Sequence, residues 1–517
     1  MGGGSKPLPP APSCDVAADG SATVATPELM LQLVDDDEGA WLASPAVADL
    51  DGDGVNEILI AHNGHVVVWG ADGAVKWRFE EPQQSGRIWS SPLVADFRDD
   101  ARLEIVVAAR EQVWMLDADG EVLSGWPITW RDEIRSLAAG DVNGDGQLDV
   151  VAASTDHDPD ILSAYTAGGD RIDGFPPVSS GTIGCDASGG DSGECWIAGA
   201  YDQNLAIGDL DGDGNQDIVS TMDNAYTGFY RGTGEAFDAN PMFRGRPKTP
   251  GVRYLHDLEL AQQGFSDDDS SLQAYFKNSA PAIADVDGDG AYEAVMLALV
   301  EDVGMSDQAQ GVGLWVVRND ASRLPGWESP FYVPGYLAGA EDLGGNIVAA
   351  TIQVTVADID PTHPGPEMLF ADVDGRIHAV YADKTEFWAV TYTNESSVLT
   401  GGVVVGDLSG DGIPEIVFNT YSTDEGEGHL FVMDAGGQIL HRIQLPRLGA
   451  MPVPTLADVD GDGTVEIIVS LREMEYQGAD AEPCAYVYKV SSSSNNCLLW
   501  PTARGNYYRN GWVRTEE

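Results

Sequence analysis

The chain has 517 residues and a formal net charge of −57, with 84 acidic and 27 basic side chains. A surface this negative repels phosphate groups, so nucleic acid is excluded as a partner. Hydrophobic residues make up 43% of the chain, enough for a large core, and no segment reads as a transmembrane span.

The first 26 residues differ in composition from the rest. They begin MGGGSKPLPPAPSC, a Gly-, Ser- and Pro-rich sequence typical of a flexible tether and not of a signal peptide. The GGGS after Met1 is typical of the mature start of a bacterial lipoprotein, whose precursor carries a lipid anchor, and equally of a linker added for expression. The sequence therefore predicts a tether over 1–26 and a single domain over 27–517.

From residue 46 onwards one phrase recurs: a short apolar strand ending in Asp, a turn rich in Gly and Asp, and an acidic residue that opens a second apolar strand. The first copy reads AVADLDGDGVNEILIA and the last reads TLADVDGDGTVEIIVS. The first aspartates of the eight copies, 45–76 residues apart, are Asp49, Asp96, Asp141, Asp209, Asp285, Asp358, Asp407 and Asp458. A repeat of this period indicates a propeller, a solenoid or an array.

Between the copies lie alternating aromatic and β-branched runs broken by a turn, such as HVVVWGADGAVKWRF from His65. This pattern predicts a β-hairpin. Each unit then has four antiparallel strands, and the sequence predicts an all-β, eight-bladed β-propeller, with seven blades as the main alternative. We expect the hairpin tryptophans to pack between blades: Trp69, Trp77, Trp114 and Trp126.

The turn between the first two strands of each unit has the composition of a metal-binding loop. In the first copy carboxylates occupy positions 1, 3 and 5, a glycine occupies position 6, and Glu57 occupies position 9. Carboxylates mixed with a backbone carbonyl favour Ca²⁺. An EF-hand is excluded, because position 12 is Ile60, a strand residue, where an EF-hand needs a bidentate Glu.

The pattern D-x-D-G-D-G-x-x-[DE], framed by strands, resembles the FG-GAP or VCBS repeats of the integrin α-subunit propeller and of many bacterial secreted proteins. The resemblance covers residues 40–512. It implies a calcium-stabilised propeller whose metal loops join strands 1 and 2 on one face of the disc. It implies neither a particular ligand nor a reaction.

Six of the eight loops keep the full pattern, which predicts about six calcium sites. Their ligands are Asp49, Asp51, Asp53, Val55 and Glu57; Asp141, Asn143, Asp145, Gln147 and Asp149; Asp209, Asp211, Asp213, Asn215 and Asp217; Asp285, Asp287, Asp289, Ala291 and Glu293; Asp407, Ser409, Asp411, Ile413 and Glu415; and Asp458, Asp460, Asp462, Thr464 and Glu466.

The second and sixth loops depart from the pattern. In the second, Arg98 replaces an acid and Ala101 replaces the turn glycine. We expect Arg98 to neutralise Asp96, Asp100 and Glu104, so that this loop binds no metal. In the sixth, PTHPGP inserts a residue and two prolines before Glu367, and its occupancy is left open.

The five cysteines suggest an exported protein. Close spacing predicts two disulfides, Cys185–Cys195 and Cys484–Cys497, with Cys14 left over. Together with calcium loops, which suit millimolar calcium, this predicts a secreted protein or a lipoprotein at the cell surface.

We call the face that carries the Asp-rich loops the lower face, and the face that carries the 2–3 and 4–1 connections the upper face. The long connections all belong to the upper face, including residues 231–278 and the acidic loop TYSTDEGEG. Long loops in a compact fold are often functional, so we expect a monomer that binds a protein or a glycan there as an adhesion or binding module. No catalytic residues or organic-cofactor residues are assigned; the enzyme alternative is a secreted polysaccharide-active lyase or hydrolase.

Overall fold

The computed structural model describes residues 14–17, 20–35, 42–82, 88–130, 132–155, 161–177, 204–222, 224–263, 272–277, 279–302, 309–335, 337, 352–424, 426–472 and 482–514. Almost all regular structure in these residues is β-strand. The exceptions are a 3-10 turn at Thr249–Gly251 and the short helix α1 at Leu258–Ala261. Within the same residues, no helix is long and apolar enough to cross a lipid bilayer.

The strands in the first half of the chain are β1 (Glu28–Asp35), β2 (Ala46–Ala48), β3 (Glu57–His62), β4 (His65–Trp69), β5 (Val75–Glu80), β6 (Leu93–Ala95), β7 (Glu104–Ala109), β8 (Gln112–Leu116), β9 (Ile128–Thr129), β10 (Ile134–Gly140), β11 (Asp149–Ser154), β12 (Leu162–Tyr165), β13 (Leu205–Gly208), β14 (Asp217–Thr221), β15 (Thr227–Arg231), β16 (Leu272–Tyr275) and β17 (Ser279–Ala280).

The strands in the second half are β18 (Ala282–Ala284), β19 (Glu293–Asp302), β20 (Ala309–Val317), β21 (Phe331–Pro334), β22 (Ile352–Gln353), β23 (Thr355–Ala357), β24 (Glu367–Ala371), β25 (Arg376–Val380), β26 (Glu386–Thr391), β27 (Val398–Leu399), β28 (Val404–Gly406), β29 (Glu415–Asn419), β30 (Tyr421–Ser422), β31 (His429–Met433), β32 (Ile439–Gln444), β33 (Thr455–Ala457), β34 (Val465–Ser470) and β35 (Glu482–Val490).

The strands form eight antiparallel blades in the described part of the chain, which confirms the predicted eight-bladed propeller. The blades are β2–β5, β6–β9, β10–β12, β13–β15, β18–β21, β23–β26, β28–β32 without β30, and β33–β35 with β1. The first strand of the domain is thus the outer strand of the eighth blade, so the two ends of the domain meet in one sheet. In blades three and four the fourth strand is reduced to single bridges, Tyr165 to Arg171 and Tyr230 to Ala236.

The second strand of a blade is buried on both faces, because neighbouring blades cover it on either side. All six residues of β3, β7, β11 and β34 are buried. An outer strand such as β32 has no fully buried residue. This burial explains why the second strands read as continuous apolar runs while the outer strands are mixed.

The tryptophans join neighbouring blades, as predicted. The indole N–H of Trp77 in blade one donates to the carbonyl of Ala118 in blade two at 2.8 Å, and Trp126 of blade two donates to Ala167 of blade three at 3.0 Å. Trp69 and Trp114 are buried among side chains of two adjacent blades each. The ring therefore has specific polar contacts between blades as well as apolar packing.

The C-terminal segment, residues 497–513, runs along the inner strands of the propeller. Its backbone carbonyls accept hydrogen bonds from the N–H groups of inner strands in six blades: Val94, Ala139, Ile207, Ile283, Val405 and Leu456. Its arginines reach the remaining two blades, Arg509 at Pro45 O and Arg504 N at the Gln353 side chain. This central segment fills the axis of the ring with protein, a feature that the sequence did not predict.

The N-terminal boundary needs correction. Residues 14–17 and 20–26, which composition assigned to the tether, pack on the lower face over the seventh loop. Ala17 N donates to Gly410 O at 2.8 Å, and Ser21 N donates to Ser409 O at 3.2 Å. Val24 is buried against blades seven and eight. Backbone pairing with the Gly-rich loop holds this segment although it lacks apolar periodicity.

The predicted Cys484–Cys497 disulfide is wrong. Cys497 is bonded to Cys14, and Cys484 is buried and is not part of that bond. Cys484 lies in β35 with its Sγ against the carbonyl of Leu33, whereas Cys497 lies past the end of that strand beside the N-terminal segment. The Cys185–Cys195 prediction falls outside the described residues. A disulfide in the fold indicates an oxidising compartment, extracellular or periplasmic.

The long connection between blades four and five has a core of its own. Phe243, Tyr254 and Phe276 are buried against blade five. The strand β16 pairs with the upper half of β19, from Leu272 opposite Asp302 to Tyr275 opposite Leu299. This connection does lie on the upper face, but its large side chains serve packing.

Candidate metal centres

In seven of the eight Asp-rich loops, all but the sixth, the turn folds around the carboxylate at the first position. In the first loop Asp49 accepts hydrogen bonds from the backbone N–H groups of Gly52 at 2.7 Å, Asp53 at 3.0 Å and Gly54 at 2.9 Å. Gly54 has φ +88°, a left-handed conformation that a side chain disfavours. The conformation of the turn thus favours the glycine of the pattern.

The acid that opens the second strand, at position 9 in seven loops and at position 10 in loop six, is buried in all eight loops. These residues, each at most 6% exposed, are Glu57, Glu104, Asp149, Asp217, Glu293, Glu367, Glu415 and Glu466. One oxygen of each accepts a hydrogen bond from the backbone N–H at position 2; the Leu50 N to Glu57 Oε2 distance, for example, is 2.9 Å. The other oxygen contacts a lysine in loops one and eight and accepts from Asn143 Nδ2 in loop three, whereas in loops five and six it has no hydrogen-bond partner.

Burial has a large electrostatic effect on these acids. Burial, with smaller contributions from nearby Asp145 and Asp141, raises the pKa of Asp149 to about 7. Burial also raises the pKa of Glu293 to about 8, with further contributions from the loop aspartates. A cluster of desolvated carboxylates is unfavourable without positive charge, and a divalent cation supplies that charge.

Four of the six predicted sites bring three carboxylates together with ligand atoms within 4.8 Å of one another: loops one, four, five and eight. Loops three and seven have Asn143 and Ser409 at position 3 and keep the same turn. Asp145 N donates to Asn143 Oδ1 at 2.8 Å, and Gly412 N donates to Asp407 Oδ2 at 2.8 Å. All six loops therefore keep the same turn, and four of them bring three carboxylates together, while binding of calcium by these residues stays a prediction.

Three of these loops also contact a basic side chain that the sequence analysis missed. In loop eight, Lys489 Nζ lies 2.8 Å from Asp460, 2.7 Å from Asp462 and 3.1 Å from Glu466. In loop one Lys76 contacts Asp51 and Glu57, and in loop four Arg231 contacts Asp211. Strand register was the available signal, because Lys489 is the cross-strand partner of Glu466 and Arg231 that of Asp217.

The residues of loops three, five and seven fit Ca²⁺ best. In loop five the Oε1 atom of Glu293 is buried and has no hydrogen-bond partner, while Arg318 comes no closer than 3.9 Å to Asp289. Among the described residues, no basic side chain forms an ion pair with loops three or seven. An all-oxygen site with an unsatisfied buried carboxylate suits a hard cation.

The two irregular loops, two and six, differ in the contacts of their carboxylates. In loop two Arg98 is exposed, and within the described residues no ion pair joins it to the loop carboxylates, so the expected neutralisation is absent. Ala101 adopts φ +65° in place of the glycine. In loop six both oxygens of Asp360 are taken, Oδ1 by Thr362 and Oδ2 by the Tyr381 hydroxyl at 2.8 Å.

A pocket of about 180 Å³ lies on the upper face between blades six and seven. It is formed by the connection that follows β26 and by the loop between β29 and β31, which is the acidic loop TYSTDEGEG. Its lining residues are Tyr392, Thr393, Asn394, Glu395, Val398, Thr420, Glu427, His429, Phe431 and Arg442. Aromatic rings form its base, and carboxylates, an amide and a guanidinium surround its opening.

No family model and no curated protein sequence matches this chain. Among solved structures, the V. cholerae biofilm matrix protein Bap1 is similar, with a TM-score of 0.52 and 14% identity over 95% of this chain and 96% of that one. The rhamnogalacturonan lyase YesW has a TM-score of 0.47 and 14% identity over 94% and 80%. A quinohemoprotein alcohol dehydrogenase from Comamonas testosteroni has a TM-score of 0.47 and 13% identity over 90% and 76%. At these identities the likeness concerns the propeller fold.

Proposed function

We propose that this protein is a calcium-stabilised propeller of the FG-GAP or VCBS type. It acts at the cell surface or in secreted form as a binding or adhesion module for a glycan or protein. The upper-face pocket between blades six and seven carries the proposal. The central segment fills the axis of the ring, so we take this pocket on the upper face as the candidate ligand site.

The chemistry of the pocket suits a hydroxyl-rich ligand. Glu395 and Glu427 offer acceptors, Asn394 offers both a donor and an acceptor, and Arg442 is a fixed donor whose guanidinium lies 5.5 Å from the Phe431 ring centroid. Sugars need such mixed partners at the rim of a partly apolar site. A glycan is therefore the favoured ligand.

Calcium has a structural role in this proposal. It would be bound by the position 1, 3, 5 and 9 side chains and the position 7 carbonyl, on the face away from the pocket. The ion neutralises buried carboxylates and holds strand 1 to strand 2 in each loaded blade. Recognition and metal binding are then separate functions of opposite faces.

One observation favours the enzyme alternative. The pocket places His429 beside two carboxylates, Glu395 and Glu427, and the ring Nδ1 of His429 lies 2.8 Å from the Glu427 carbonyl. A histidine with neighbouring acids can perform general acid–base chemistry on a polysaccharide. The ligand screen that tests binding should therefore also test whether the polysaccharide ligands are cleaved into shorter products.

The test is a glycan array probed with three proteins: the wild-type chain, Arg442→Gln and the control Arg102→Gln. Arg102 is an exposed residue of the second loop. We expect a glycan signal that Arg442→Gln reduces at least tenfold while Arg102→Gln retains it. A signal unchanged in Arg442→Gln would place recognition elsewhere. Binding only on a protein array would make the partner a protein, and cleavage of a bound polysaccharide would establish the enzyme.

A further inference from the structure

A cluster of three potential metal ligands lies on the upper face of blade six, away from the Asp-rich loops. Asp372 and Asp374 belong to the hairpin between β24 and β25, and His378 lies in β25. Ligand atoms of the three residues lie within 4.8 Å of one another. The sequence analysis did not single out this hairpin, ADVDGRIH, because it carries no repeated pattern.

Two of the three side chains are buried with an atom left unsatisfied. Asp372 is 4% exposed and His378 is 2% exposed. Asp372 Oδ2 and His378 Nε2 have no hydrogen-bond partner, and neither atom is reached by solvent. A buried polar atom without a partner costs about 1–3 kcal/mol, so its retention needs a reason.

Glu386 and Phe370 fix the orientation of the His378 imidazole. Its Nδ1 lies 2.9 Å from Glu386 Oε1, and its ring stacks on Phe370 at 5.1 Å with an angle of 14° between the planes. A carboxylate that accepts Nδ1–H fixes the tautomer in which Nε2 carries the lone pair. This carboxylate–histidine pairing is the usual support of a metal-bound histidine.

The spacing of the cluster also suits a small cation. His378 Nε2 lies 3.5 Å from Asp374 Oδ2. Two ligands bound to Zn²⁺ at about 2.0–2.1 Å with tetrahedral angles are separated by about 3.4 Å. The Arg376 guanidinium, 3.6 Å from Asp374 and half exposed, can turn towards solvent when a cation binds.

We propose that Asp372, Asp374 and His378 bind a divalent transition metal ion, with Zn²⁺ as the ion that their chemistry favours. The mixture of one imidazole and two carboxylates separates this site from the all-oxygen loops of the lower face, which suit Ca²⁺. Three protein ligands leave at least one coordination position for water or a ligand. Glu386 is a positioning residue that acts through His378.

The experiment is equilibrium dialysis against zinc chloride in millimolar calcium, which fills the Asp-rich loops, followed by metal analysis. The variants are Asp374→Asn, His378→Gln and Glu386→Gln. The matched control is Asp383→Asn, an exposed acid of the same blade. Asp374 and Asp383 each accept a backbone N–H two residues on at 2.9 Å, and an asparagine at either position keeps an oxygen for that bond; Asp383 also accepts the Thr385 hydroxyl.

We expect the wild type and Asp383→Asn to retain one more zinc per chain than Asp374→Asn and His378→Gln. Glu386→Gln should weaken zinc binding about ten- to hundredfold without lowering the melting temperature of the metal-free protein. Cobalt(II) should give a visible spectrum in the wild type that His378→Gln changes. Equal zinc retention in the wild type, Asp374→Asn and His378→Gln would overturn the site. Failure of the wild type to bind zinc would do the same.

Discussion

Arg509 donates a hydrogen bond from its guanidinium to the carbonyl of Pro45 at 2.9 Å, which joins the C-terminal segment to the start of blade one. The same guanidinium contacts Pro92 O at 3.2 Å at the start of blade two. Arg504 does the same for blades three and four through Leu137 O and Leu205 O. The central segment thus ties neighbouring inner strands together across the axis.

Both arginines are buried, and within the described residues neither contacts a carboxylate. Burial lowers the pKa of Arg509 to about 10 and lowers that of Arg504 well below its ordinary value. Backbone carbonyls compensate the charge because the fork of a guanidinium can meet several of them at once. A net charge of −57 for the whole chain makes two buried cations less unfavourable.

Arg509→Met should destabilise the propeller. The change keeps much of the volume but removes the Arg509 donor from the buried carbonyls of Pro92 and Ala503, and one of the donors to Pro45 O, at about 2–4 kcal/mol. Chemical denaturation of Arg509→Met and of the control Arg244→Met, both in calcium, measures the loss of stability. Arg244 is an exposed residue of the connection between blades four and five. Equal midpoints for the two variants would contradict a structural role for the central segment.

Chelation of calcium should lower the melting temperature. A ligand that binds only the folded state contributes about 2.7 kcal/mol per site when its concentration is a hundredfold above Kd. Removal also leaves the desolvated position-9 acids, such as Glu293 and Glu415, without positive charge. Differential scanning calorimetry in excess EDTA and in millimolar calcium gives the difference; magnesium in place of calcium should restore little of it. Identical curves for a protein shown by metal analysis to bind no calcium would refute the structural role.

Loops five and two provide a matched test of which loops bind. Glu293→Gln and Glu104→Gln are isosteric changes at the same buried position, where each glutamate accepts the N–H at position 2 of its loop. Glu293→Gln should remove one calcium per chain, and Glu104→Gln should remove none, because loop two lacks the acid at position 3. Metal analysis of both proteins decides. Loss of one ion from each would mean that loop two binds calcium.

The sequence predicted those parts of the structure that the repeated pattern encodes. Each second strand is apolar along its whole length because blades cover both its faces, so β3 or β34 could be recognised from sequence. The central segment could not, since its hydrogen bonds are made by backbone and by single arginines that leave no period. Contacts between side chains on neighbouring strands and turns were missed for a similar reason. His378 and Asp374, for example, lie close together because of the turn and the strand register, which composition does not reveal.

The cysteine prediction failed because short spacing was taken as closeness in space. Cys484 and Cys497 are separated by 13 positions, yet one points from β35 towards Leu33 and the other follows the strand's end. The true partner, Cys14, is distant in sequence and comes near only because the ring closes. The N-terminal segment was likewise assigned to a tether on composition alone, which does not detect pairing with loop seven.

Lys76→Met should have opposite consequences with and without calcium. The ammonium group contacts Asp51 and Glu57 of loop one and so competes with a cation for the same oxygens. Without calcium the variant should melt lower than wild type, since two acids lose their partner. Calcium titration should show tighter binding at loop one, and saturating calcium should reduce or reverse the difference in melting temperature. A deficit that stays constant at all calcium concentrations would show that Lys76 and calcium do not share the loop.

Cys14→Ser should release the N-terminal segment and weaken calcium binding at loop seven. The Cys14–Cys497 bond holds a segment whose backbone pairs with Ser409 and Gly410, and Asp407 and Ser409 are 0% and 1% exposed beneath it. Loss of so distant a cross-link removes about 6 kcal/mol in the chain-entropy account, and native disulfides typically contribute about 2–4 kcal/mol. Calcium dissociation in excess chelator should show one ion leaving faster in Cys14→Ser, while the buried control Cys484→Ala leaves the dissociation profile unchanged. Peptide mapping without reduction should recover Cys14 joined to Cys497, and recovery of Cys484 in that peptide would reject both the pairing and the predicted cover over loop seven.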